Sequence, residues 1–130
     1  MKQFAMTKQK FLNQWLRHFA PNVPQKQLQM HVKGQYIWHV FSYKLITEGL
    51  LVGDAARKAF NDADKGNCIC CDMFDDSGVT DHLPHDCNTA EGIDEQQTEL
   101  YVVSHDWSWT YIKTHEGDWC GPYFMKLEKS

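Results

Sequence analysis

The chain has 130 residues, of which 42% are hydrophobic, 23% charged and 13% aromatic, with a formal net charge of −4. That balance excludes a disordered chain, a collagen-like repeat and a coiled coil. A chain of this length fits one domain, residues 1–130, burying roughly two-thirds of its unfolded surface without covalent staples. No apolar run approaches the roughly 18 residues of a membrane span. The polar N-terminal stretch carries neither the apolar core nor the small-residue cleavage site of a signal peptide, so a soluble cytoplasmic protein is expected.

In chain order, Thr7 is placed to cap a first helix from about Lys8 to Phe19, whose Phe11, Trp15, Leu16 and Phe19 recur at helical spacing on one face. Pro21 and Pro24 stop it, a second short helix is expected over Gln25 to Val32, and Gly34 breaks that segment. Tyr36 to Tyr43 is aromatic and β-branched, but a continuous apolar run does not declare its period, and strand and helix both remain open. Ala55 to Phe60 reads as a helix with Asp54 as N-cap and Gly66 beyond its end.

Cys68 to Phe74 is the next strand. Residues from about 75 to 97 read as one long acidic loop with almost no apolar residue, a length uncommon inside a domain unless the loop is functional or disordered. Glu99 to Val103 and Trp107 to Ile112 then pair as strands around a Ser104-His105-Asp106 turn, with Trp107, Trp109 and Tyr111 sharing a face. Gly121 to Leu127 closes the sheet. The expected fold class is α+β: N-terminal helices packed on a small, mainly antiparallel sheet.

Charge is divided unevenly along the chain. Residues 1–60 hold nine Lys and Arg against Glu48 and Asp54, whereas residues 61–130 hold four Lys against fifteen Asp and Glu. Within residues 62–99, eleven carboxylates face only Lys65. Such a segment repels nucleic-acid backbone and suits a basic protein partner or a cation. A solvated polar loop is the plainer explanation of the same run.

Six zinc-competent side chains fall within twenty residues: Cys68, Cys70, Cys71, His82, His85 and Cys87. Thiolate and imidazole together satisfy tetrahedral zinc, and reduced thiols are expected in the cytoplasm. The spacing argues the other way. Cys70 and Cys71 on a strand point to opposite faces, and paired ligands of structural zinc sites are normally separated by two or more residues. Cys68, Cys70, His82, His85 and Cys87 therefore form an alternative metal set, against the simpler reading of buried strand thiols beside a polar loop.

His105, Asp106, His115, Glu116, Asp118 and Cys120 could in principle combine a nucleophile with a base. No recognised cysteine-enzyme pattern surrounds Trp119-Cys120-Gly121-Pro122, and His105-Asp106 suits a hairpin turn. His39 between Trp38 and Phe41 reads as a satisfied core histidine. The chain holds no GxSxG, no HExxH and no phosphate-cradling glycine loop. No catalytic residue is assigned, and the chain is expected not to be an enzyme.

Three stretches together resemble a small bacterial family of unknown function: Trp38-His39-Val40-Phe41-Ser42, the helix carrying Ala55, Ala59 and Phe60, and Trp109-Thr110-Tyr111-Ile112-Lys113-Thr114-His115-Glu116 followed by Gly121-Pro122-Tyr123-Phe124. The resemblance covers most of residues 36–125 and implies no activity. Small cytosolic families of this kind frequently act as immunity proteins beside polymorphic or contact-dependent toxins, so the resemblance implies such a role, and the Cys-rich strand and acidic loop, which depart from the family pattern, suit a toxin-recognising segment.

The resulting expectation is an immunity protein that neutralises a cognate toxin, most simply a nuclease, by occluding its positive active site. Asp72, Asp75, Asp76, Asp81, Asp86, Glu91, Asp94 and Glu95 form the acidic contact surface, with Trp107 and Trp119 as aromatic anchors. The partner is a basic protein, with no direct nucleic-acid or membrane binding and no cofactor. The alternative is a zinc-binding regulatory protein using the Cys/His group.

Overall fold

A computed structural model of the chain describes residues 7–20, 23, 49–63, 68–72, 79–81, 83, 87–95, 99–114 and 121–127. The fold class is α+β. In chain order the described elements are α1 (Lys8–Phe19), β1 (Leu50–Val52), α2 (Asp54–Asp62), β2 (Cys68–Asp72), β3 (Val79–Thr80), α3 (Ala90–Asp94), β4 (Leu100–Ser104), β5 (Trp109–Lys113) and β6 (Tyr123–Lys126). The strands form one six-stranded sheet in the order β1-β6-β5-β4-β2-β3. Every neighbouring pair is antiparallel.

The register sorts the side chains into two faces. Cys71, Tyr101, Ile112 and Tyr123 are aligned across β2, β4, β5 and β6, and all four join the core beneath α1. One residue along, Cys70, Val102, Tyr111 and Phe124 form the parallel row on the other face, beneath α2 and α3. Both faces of the sheet are thus covered, which is why β4 and β5 are buried throughout and read as continuous apolar runs.

The first helix forms as expected. Thr7 Oγ1 accepts the Lys10 amide at 3.1 Å, and Phe11, Leu12, Trp15 and Phe19 are buried. Trp15 Nε1 donates to Thr110 Oγ1 at 2.9 Å, tying α1 to β5 near the strand's start.

Three expectations are corrected. The N-cap of α2 is Gly53, at φ 69°, and Asp54 is the first helical residue with its side chain in solvent. Gly53 N donates to Pro122 O at 2.9 Å, so a backbone conformation that favours glycine ties the helix start to the approach of β6. The acidic stretch is not one loop, because β3 and α3 lie within it and bury Val79, Ala90 and Ile93. The expected α+β arrangement is found, with α1 ahead of an antiparallel sheet whose strand β1 precedes α2.

Trp107 is the third. It lies before β5 at φ 58° and packs with the α1-side core, whereas Trp109 and Tyr111 face α2 and α3. The second expected helix, Gly66 and the strip from Tyr36 to Tyr43 lie outside the described residues.

Candidate partner-binding surface

The α2–α3 side carries the described carboxylates closest to the expected contact set. Ala56 and Phe60 turn α2 inward, with Phe60 stacked on Tyr111 at 4.3 Å between ring centroids. This leaves Asp54, Lys58, Asn61 and Asp62 exposed and Arg57 partly exposed. In the five-residue α3, Ala90 and Ile93 are buried and Thr89 Oγ1 caps the N-terminus by accepting from Gly92 N at 3.1 Å. Glu91 and Asp94 then point outward, followed by exposed Glu95.

Two cross-links join these helices. Arg57 donates through Nε to Asp94 Oδ2 and through a terminal nitrogen to Asp54 Oδ1, each at 2.8 Å. Asn61 Oδ1 accepts the Ala90 amide at 2.8 Å, and its Nδ2 donates toward both Glu91 oxygens at 3.3 Å. A helix this short is not stable alone, so tertiary contacts of this kind hold it. The outcome is an acidic helix pair: Asp54, Asp62, Glu91, Asp94 and Glu95 against Arg57 and Lys58.

The expected contact residues therefore divide. Glu91, Asp94 and Glu95 share one surface, but Glu91 and Asp94 also have internal work in holding α3. Asp72 is partly buried at the end of β2, and Asp81 is exposed just beyond β3. Trp107 is on the opposite side of the sheet, its indole stacked on His18 at 5.0 Å and tilted against Phe11 at 5.7 Å. Asp75, Asp76, Asp86 and Trp119 lie outside the described residues.

The turn that presents Trp107 is strongly determined. Ser104 Oγ donates to Asp106 Oδ1 at 2.9 Å and accepts from the Ser108 and Trp109 amides at 2.8 and 3.1 Å. Ser108 Oγ donates to the same Asp106 oxygen at 2.7 Å. A bulky residue in the left-handed region is strained, and such strain persists only where the surroundings enforce it. Sequence reading placed a turn here but put its end two residues too early.

Beneath the helix pair, Cys68, Cys70 and Cys87 belong to the same apolar core, and Cys71 faces the α1 side. All four are free thiols. Burial pushes the Cys70 thiol far up, helped by the neighbouring cysteines, and pushes Cys71 up to about 12. In the metal-free chain such groups stay protonated at neutral pH. Among the described residues no group of three or more His, Cys, Asp or Glu side chains is placed to hold a metal ion. His82 and His85 of the metal set, and His115, Asp118 and Cys120 of the catalytic set, lie outside those residues.

Two charged side chains escaped sequence reading. Glu99, counted with the acidic segment, is fully buried and accepts from the Tyr101 hydroxyl at 3.3 Å. Lys113 is 8% exposed at the end of β5. Its desolvation lowers the pKa, opposed chiefly by the charge of Asp94 and further by that of Asp72. Register offers a clue only in retrospect, since Lys113, Leu100 and Asp72 are aligned across β5, β4 and β2.

Among the described residues no helix is long and apolar enough to cross a membrane. No curated protein and no solved structure matches the chain. Residues 1–124 do match a family model, described as domain of unknown function DUF4275, and the chain belongs to that family.

Proposed function

We propose that this chain is an immunity protein that neutralises a cognate bacterial toxin, a nuclease in the simplest case, by steric occlusion. The observation that carries the reading is the acidic helix pair, where five carboxylates and two cations share the outer surface of α2 and α3. A nuclease site is positive because it holds phosphate, so a surface of this sign speeds encounter and can fill that site. Asp81 and the flanking carboxylates Asp75, Asp76 and Asp86 extend the negative character along the chain. In this reading the chain performs no chemistry; it works by cross-linked helices holding Glu91, Asp94 and Glu95 outward on a rigid base.

The test begins with native mass spectrometry of the chain taken from its own cells at low salt. The expected result is a stoichiometric basic protein that leaves as salt rises, arrests growth when expressed alone and is tolerated when this chain is co-expressed. Reversing Glu91 and Glu95 to lysine should slow association by about tenfold or more, since steering charges act on the on-rate. A partner whose binding ignores salt, or whose toxicity this chain leaves unchanged, overturns the reading.

A further inference from the structure

Among the described residues, part of the charge imbalance along the chain becomes, in three dimensions, a separation across the sheet. Residues 7–20 contain Lys8, Lys10, Arg17 and His18 and no carboxylate. Lys10 and Arg17 are exposed and lie seven residues apart, two turns along one side of α1. Asn13 stands between them in sequence and is exposed as well, so the stripe presents donors. The opposite surface, on α2 and α3, carries the five carboxylates and two cations described above. The two outer surfaces are thus complementary in sign.

The α1 surface also carries an aromatic anchor. Trp107 is partly buried, stacked on His18 near the C-terminal end of α1, and held in a left-handed conformation by the Ser104, Asp106 and Ser108 network. Aromatic side chains on a rigid base dominate protein–protein contacts, and a strained residue maintained by its surroundings points to a use for its position.

We infer that the basic α1 surface of one copy docks on the acidic α2–α3 surface of a second copy, head to tail, in a salt-labile association. The contact is heterologous, so each copy keeps one free surface of each sign and the association extends beyond a dimer unless the rotation closes a ring. The acidic surface is the one assigned above to the toxin, so self-association would hold it covered until a more strongly basic partner displaces the second copy. The association itself stands independently of that assignment.

Purified chain alone supplies the test, so its failure is separable from failure of the immunity reading. Sedimentation equilibrium should give a weight-average mass above the 15.2 kDa monomer at low salt. It should return to the monomer when salt rises from about 0.01 to about 1 M, contracting the Debye length from about 30 to about 3 Å. Lys10→Glu with Arg17→Glu should abolish the association, and so should Asp62→Lys with Glu95→Lys in a separate protein. Mixing the two variants should restore it, because each then presents the other with complementary surfaces. Circular dichroism checks that these exposed substitutions leave the fold intact. Monomer at every salt concentration, association that survives high salt, or a mixture of the two variants that stays monomeric would each overturn the inference.

Discussion

Trp15 and Thr110, 95 residues apart, are joined by a buried hydrogen bond of 2.9 Å from the indole nitrogen to the threonine hydroxyl. That hydroxyl donates onward to Val102 O at 3.0 Å, so one side chain links α1, β5 and β4. Thr110→Val keeps the shape and removes the acceptor, leaving the Trp15 donor buried. Unfolding in urea should show a loss of about 1–3 kcal/mol, with Thr110→Ser recovering most of it.

Phe60 anchors α2 through its stack on Tyr111 and its edge contact with Trp109 at 5.9 Å. Phe60→Ala opens a cavity in the core beneath the helix pair. The expected loss is about 3–5 kcal/mol by thermal or urea unfolding, enough to unfold a marginally stable domain.

Asn61 holds α3 by accepting the Ala90 amide. Asn61→Ala should raise hydrogen exchange at Gly92 and Ile93 while leaving β4 and β5 protected, because α3 opens locally. The global stability change should be smaller, about 0.5–1.5 kcal/mol. Equal acceleration in α3 and the central strands would show that α3 and the sheet open as one unit.

Trp107 separates strain from packing. Trp107→Ala removes the indole and keeps a side chain at φ 58°, whereas Trp107→Gly removes the indole and the strain together. The glycine variant should be more stable than the alanine variant by about 1 kcal/mol in urea unfolding. Both should fall below wild type, because the Phe11 and His18 contacts are gone.

Titration of the buried groups has opposite signs. Cys71 is raised from its ordinary 9.0 to about 12, so the folded thiol stays protonated where the unfolded one ionises. Its contribution is fully present below 9.0 and is lost as pH climbs towards 12. The folded chain should therefore leave Cys68, Cys70, Cys71 and Cys87 unreactive to a thiol reagent at neutral pH, with reaction appearing on denaturation.

Lys113 is lowered by burial, so the unfolded state binds its proton more tightly. That penalty is complete below the folded pKa and fades as pH rises to the ordinary lysine value of about 10.4. Lys113→Met should be more stable than wild type at neutral pH, with the difference narrowing as pH rises. A difference that does not vary with pH would assign the effect to packing.

The first helix was legible from Thr7 and the spacing of Phe11, Trp15 and Phe19, since cap and periodicity agree over twelve residues. The β4–β5 pair was legible because its residues suit strands whatever covers them. The five residues of α3 are too few to display a period, and their support comes from Asn61, which is remote in sequence. Reading Asp54 as the cap followed residue preference, whereas the tie from Gly53 to Pro122 is a tertiary contact. The same holds for Glu99: a carboxylate in an acidic run reads as surface until the fold places it beside Tyr101.

The antiparallel strands largely cancel one another's peptide dipoles. The side-chain charges do not cancel, since Lys10 and Arg17 stand above one face of the sheet while Asp62, Glu91 and Glu95 stand below the other. Among the described residues these charges thus contribute a dipole moment directed through the sheet. In the field of a charged body that contribution adds a torque to the net force and favours one helix layer for first contact.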